Sequence, residues 1–248
     1  MERHPFDVGS VGYLRTLSSR NDDWIERQPC KLRVLMLLLT ALAGLTLSPA
    51  LAAQEYVVKP VAELKTKQLP AGPLYWRIEN FATLEQAKAA ARPYRWNPDT
   101  VSYDGTPWLT AEVAGKVWLF TLGAKGGTTP GGNPVAEIGP VPTITAPEYL
   151  LRINHGGGPS GAKTAVHTHP GAEAFYVVSG RLGQKTPHGV QYAEAGNTMN
   201  GHPADMPMEV FNAGTTDLTA LIMFVVDATR PFSVPAKMPA SNGVISEP

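Results

Sequence analysis

The sequence predicts an all-β protein, and three observations carry that reading. The 248 residues include 24 glycines and 23 prolines, more than a helical bundle tolerates and suited to a turn-rich β protein. Short runs rich in β-branched and aromatic residues recur with Gly or Pro between them. Beyond residue 53 only one segment, TLEQAKAAA at residues 83–91, reads as a helix; Thr83 and Gln86 form a capping box there and Pro93 follows its end.

The elements are expected in this order. Residues 54–72 are a polar lead-in with Pro60 and Pro70, an arm or an edge strand. Residues 74–79 alternate as a strand, and the helix follows. Residues 108–113 and 116–122 form a hairpin through Ala114-Gly115. Residues 123–147 hold six Gly and five Pro, which predicts a long surface loop or an extended crossing with short edge pairing. Strands are then expected at residues 148–154, 164–169, 173–179, 181–186, 208–212 and 218–226. This arrangement predicts an extension over residues 54–147, a barrel or sandwich over 148–231 and a tail over 232–248.

Lys+Arg and Asp+Glu number 21 each, so the chain has no basic excess to displace counterions from phosphates, and a nucleic-acid partner is not expected. With 43% hydrophobic and 17% charged residues the chain can bury a core. Lys31 and Arg33 precede an apolar stretch over residues 34–47, and Ala50-Leu51-Ala52 follows, which are the parts of a cleaved secretory signal peptide. That stretch is about 14 residues, short of the roughly 20 that cross a bilayer, so no stable membrane insertion is expected once the leader is removed. The polar preface over residues 1–30 is unusual before such a leader, and the natural start is expected downstream of Met1. The one cysteine, Cys30, lies in this preface, so a mature chain starting near Gln54 carries none. That fits an oxidising, periplasmic or secreted location.

The chemistry concentrates in Val166-His167-Thr168-His169-Pro170-Gly171-Ala172-Glu173. In a strand, residues i and i+2 share a face, so both imidazoles point the same way. The Pro170-Gly171 turn is expected to return Glu173 beside them on an adjacent strand. Two imidazoles and a carboxylate make a metal site with open coordination positions.

The stretch GAKTAVHTHPGAEAFYVVSG, with Gly161, His167, His169, Glu173 and Gly180 at fixed spacing, resembles the first motif of the cupin superfamily. The resemblance implies a jelly-roll β-barrel holding one divalent metal ion (Fe, Mn, Cu or Zn), here with an N-terminal extension containing one short helix. The second cupin motif is divergent. Anchored on Pro203 and Asn212, its histidine position falls on Met208 and its second glycine position on Asp205. Three readings stand for the fourth metal position: the Met208 thioether, a soft donor that favours copper; His202 from the preceding loop; or no protein ligand, leaving waters.

Alternation places Glu173, Phe175 and Val177 inward and Ala174, Tyr176 and Val178 outward, with Val210 and Asn212 on the Met208 face. Residues 218–226 are apolar almost throughout, which predicts burial on both faces or against another subunit. His155 and His188 are expected to face solvent, and Trp76, Trp96, Trp108 and Trp118 to be core or interface aromatics. The resemblance implies an oxidoreductase of the dioxygenase type acting on a small organic molecule, with isomerase or lyase chemistry on the same barrel as alternatives. A periplasmic metal- or small-ligand-binding protein without catalysis is the reading from another class. No catalytic residue is assigned, although Glu173 or His202 could serve as a base. A homodimer through an apolar edge strand or an exchanged arm is the expected assembly.

Overall fold

The computed structural model describes residues 55–91, 95–97, 102–104 and 107–239, with backbone alone for 95–97 and 102–104. The expected leader at residues 31–53, the preface and the side chain of Trp96 lie outside the described residues. In chain order the elements are β1 (Val57–Thr66), β2 (Tyr75–Phe81), α1 (Leu84–Ala91), β3 (Arg95–Asn97), β4 (Ser102–Asp104), β5 (Trp108–Val113), β6 (Lys116–Gly123) and β7 (Asn133–Ile138). They continue with β8 (Tyr149–Gly158), β9 (His167–Thr168), β10 (Gly171–Ser179), β11 (Arg181–Thr186), β12 (Gly189–Glu194), β13 (Thr198–Asn200), β14 (Glu209–Asn212), β15 (Leu218–Asp227) and β16 (Val234–Pro235).

The strand β15 explains the architecture. Its residues Leu221, Met223 and Val225 belong to one apolar cluster, and Ala220, Ile222, Phe224 and Val226 to another. A strand apolar on both faces must lie between two layers, and β15 does. It is the centre of a five-stranded antiparallel sheet in the order β1-β8-β15-β10-β13. One face of that sheet packs on a second sheet, β5-β6-β2-β7, through Trp76, Ile78, Trp118, Phe120 and Leu122. The other face closes over β12-β11-β14 and the small β9-β16 pair, with Phe175, Leu182 and Val210 between them. An isolated antiparallel bridge between His167 and Met208 joins β9 to the start of β14. Strands β8 to β15 therefore form two facing sheets, in the orders β8-β15-β10-β13 and β9-β14-β11-β12. This is an eight-stranded jelly roll.

The N-terminal segments build outward from it. The lead-in is a ten-residue edge strand, β1, paired to β8 with an irregularity at Pro60. Its first four residues are all exposed, Val57 and Val58 among them, which is why its period is weak in the sequence. The α1 helix is capped as expected: the Gln86 amide donates to Thr83 Oγ1 at 3.2 Å. It buries Ala87 and Ala91 against Val117 and Leu119, on the far face of the second sheet. The Gly/Pro-rich segment contributes one edge strand, β7, which pairs with β2. The buried Glu79 carboxylate anchors the loop before it, accepting from the Thr129 amide at 2.8 Å and the Thr129 hydroxyl at 2.5 Å.

Gly180 turns the chain from β10 into β11 at φ +79°, and a Cβ there would meet the Asp217 carbonyl oxygen at 2.7 Å. Both the left-handed conformation and the close approach demand glycine. Gly180→Ala is expected to cost about 1–3 kcal/mol in urea denaturation; a change within error would refute this account of the motif's last glycine.

Candidate functional site

The site forms where the two sheets of the jelly roll face each other. It is a cavity of about 450 Å3, lined by His167, His169 and Glu173 among mostly apolar side chains. The two histidines share a face as alternation requires, with ring centroids 4.9 Å apart and edge-on. The expected six-residue strand around them is reduced to the two-residue β9, paired with Val234 and Pro235 of β16 on one edge and bridged to Met208 on the other. Glu173 does not return on an adjacent strand. Its strand, β10, belongs to the opposite sheet, paired to β15 and β13, so Pro170-Gly171 is a corner between sheets rather than a hairpin.

Each imidazole is oriented by a backbone carbonyl. His167 Nδ1 lies 2.8 Å from the Ala165 oxygen, and His169 Nδ1 lies 2.7 Å from the Phe232 oxygen. A proton on Nδ1 satisfies both bonds and leaves Nε2 of each ring as the lone-pair donor. His169 is packed between Phe224, edge-on with centroids 4.8 Å apart, and Phe232, tilted at 4.7 Å. Burial pulls its pKa down to about 4, against the Phe232 carbonyl, which favours the proton. Glu173 is 3% exposed, and burial pushes its pKa up to about 8 although the Gln184 amide donates to its Oε1. At neutral pH both groups are uncharged in this environment.

Gln184 ties the carboxyl to Met208, whose sulfur is 3.5 Å from the same amide nitrogen. Met208 is 1% exposed and sits behind this amide, outside the residues that line the cavity. His202 does not line it either. Burial and the neighbouring His188 lower its pKa, and its Nε2 has no hydrogen-bond partner. His188 is exposed, as expected, and His155 half-buried. Asn212 closes the end of the barrel, donating to the Gly158 and Thr216 carbonyls at 3.0 and 2.7 Å. Asp205, at the position of the divergent motif's second glycine, has a φ of +64°, so the backbone keeps the glycine conformation without the glycine.

The first motif thus brackets one corner of a jelly roll, with its histidines and glutamate on one cavity. The fold is a cupin-like jelly roll.

No protein-family model and no curated protein matches the sequence. Solved structures that match include a DMSP lyase (24% identity, 35% of this chain and 44% of that one, TM-score 0.31). They also include an oxalate oxidase (21%, 35% and 46%, TM-score 0.30) and a cupin-like protein from Thermotoga maritima (15%, 36% and 65%, TM-score 0.32). The chain spans less than two thirds of each of these. The strand order and the placement of the first motif carry the fold without them.

The residues fit a divalent ion in donor chemistry. Two imidazoles with fixed tautomers and a carboxyl buried with no cation beside it are a ligand set of the borderline type. They are not pre-assembled: among the described residues no three His, Cys, Asp or Glu side chains are gathered so as to hold a metal ion. Binding would have to draw the Glu173 carboxyl from Gln184 and release its proton.

The sequence reading missed several residues of the cavity. Tyr56 and Val58 come from the lead-in, Asn154 from β8, Phe224 from β15 and Phe232 from the segment after it. Gln184 could have been found, because alternation along residues 181–186 puts it on the face of Leu182. Tyr56 and Phe232 left no local signal; only the fold brings them to the histidines.

Proposed function

We propose that the chain is an exported, metal-dependent cupin acting as an oxidoreductase of the dioxygenase type on a small organic molecule. His167, His169 and Glu173 would hold the ion, and the apolar cavity would hold the substrate. The observation that carries this is the pinning of both Nδ1 atoms to carbonyls, which dedicates both Nε2 atoms to the cavity's donor set. A bound divalent ion would supply Lewis acidity or one-electron redox chemistry. The protein's own part is to exclude water, through Phe175, Phe224 and Phe232, and to orient the organic molecule. The leader at residues 31–53 supports export, with a mature chain expected to begin near Gln54 in periplasmic material.

A non-catalytic metal- or small-ligand-binding protein is the second reading, and a mostly apolar cavity of about 450 Å3 suits a small molecule held without reaction. Elemental analysis of the natively purified protein tests both. Near one equivalent of iron, manganese, copper or zinc is expected, falling at least about tenfold in His167→Ala and unchanged in Met208→Leu. Iron or manganese with substrate-dependent oxygen uptake, over a panel of diketones, flavonols and thiols, supports the enzyme. Copper without uptake supports the binder, and no metal, or equal metal in the wild type and His167→Ala, overturns the metal site.

A further inference from the structure

The cavity holds two polar groups that the histidine and glutamate set does not use. Tyr56 is 6% exposed and Asn154 is 1% exposed, and both line the cavity. The Tyr56 hydroxyl and Asn154 Oδ1 have no hydrogen-bond partner. Leaving a buried polar atom unsatisfied costs about 1–3 kcal/mol, so two on one wall of an apolar cavity point to a ligand that satisfies them.

The fold makes room for this pair. Asn154 opposes Ile222 on β15, and Ile222 in turn opposes Phe175 on β10, so the amide stands in an apolar row across the sheet. Tyr56 enters from outside the jelly roll and lies over Gly156. A Cβ at Gly156 would meet Ile222 Cδ1 at 2.7 Å and the Tyr56 oxygen at 3.2 Å. The missing side chain at residue 156 is therefore what admits the phenol ring.

The charge of the lining narrows the ligand. No Lys or Arg lines the cavity among the described residues. The nearby Arg152 stands behind the lining: its guanidinium pairs with Glu63 at 2.5 Å and stacks 3.9 Å over the cavity ring of Phe232, with Nε left without a hydrogen-bond partner. The aromatic wall suits a ring-bearing body, and the Tyr56 hydroxyl with the Asn154 oxygen suits a group that both accepts and donates one hydrogen bond. A hydroxyl does both; a carboxylate cannot donate and finds no cation here.

We propose that Tyr56 and Asn154 form the polar anchor of a ligand subsite that takes the hydroxyl group of a neutral, ring-bearing organic molecule. This deepens the reading of the cavity as the substrate site, and it does not require the metal. The test uses 2-naphthol, naphthalene and 2-naphthoate as probes, titrated by fluorescence into the full chain after metal has been removed by chelation. Expected is at least about tenfold tighter binding of 2-naphthol than of naphthalene, with 2-naphthoate weaker than 2-naphthol. Tyr56→Phe and, separately, Asn154→Leu should each bring 2-naphthol to within about threefold of naphthalene while naphthalene binding stays unchanged. The unchanged naphthalene affinity shows that the variants fold. Equal binding of naphthol and naphthalene by the wild type, tighter binding of naphthoate, a preference that survives both substitutions, or no probe binding would each overturn the proposal. His167→Ala separates the two readings: a naphthol preference kept in that variant, in a protein found to carry no metal, leaves the subsite standing and removes only the metal reading.

Discussion

Trp118→Ala is expected to destabilise the protein by about 3–5 kcal/mol, the range for deleting a fully buried large aromatic. The ring is 1% exposed, its Nε1 donates to the Val113 carbonyl at 3.0 Å, and it meets Tyr176 at a centroid distance of 5.7 Å. That last contact crosses from the second sheet to the jelly roll. Truncation would leave a void between the sheets and a wall of lost contacts. One apolar cluster runs through both, from Trp76 and Phe120 to Leu151, Leu221 and Met223. The extension and the barrel should therefore unfold together. Urea denaturation followed by tryptophan fluorescence and far-ultraviolet circular dichroism is expected to give one coincident transition in the wild type and in the variant. Two separated transitions, or a loss below about 1 kcal/mol, would contradict the account of how the extension is attached.

Glu173→Gln is expected to remove a pH dependence of several kcal/mol from the metal-stripped protein. The folded carboxyl has its pKa pushed up to about 8 by burial, against an ordinary value near 4.5. Below pH 4.5 the group is neutral in both folded and unfolded chains, and its contribution is fully present. Above that, the unfolded chain ionises it while the folded protein keeps the proton until about pH 8. Across this window stability is lost at up to about 1.4 kcal/mol per pH unit, on the order of 3–5 kcal/mol in all. The glutamine is neutral throughout and can still accept from Gln184. The stability of the variant relative to the wild type should therefore rise by that amount between pH 5 and pH 8.5, measured by urea denaturation. A difference that stays flat would show that Glu173 ionises freely in the folded protein.

The part of the site that lies in one short stretch of chain was legible in the sequence. His167, His169 and Glu173 were placed on one cavity by alternation and by the spacing of the first motif, and the facing of Phe175 and Val177 away from Ala174 and Tyr176 followed from the same period. The double burial of residues 218–226 was equally readable, because a strand between two layers has no polar face to show. What the local pattern could not give was pairing. It placed Glu173 on a neighbouring strand, whereas the corner at Pro170-Gly171 sends it to the facing sheet. It gave β1 only as an arm or an edge strand and left β12 and β13 unassigned, since edge strands such as β12, with Val190 and Tyr192 exposed, carry weak alternation. Tyr56 and Asn154 are nearly one hundred residues apart, and only the β1–β8 pairing makes them neighbours in one wall.

Anomalous diffraction from crystals of the protein grown with manganese or iron tests the metal site most directly. One strong peak is expected in the jelly-roll cavity, bonded to His167 Nε2, His169 Nε2 and the Glu173 carboxylate, with Gln184 released from that carboxylate. A cavity without a peak, or a peak held by other residues, would contradict it.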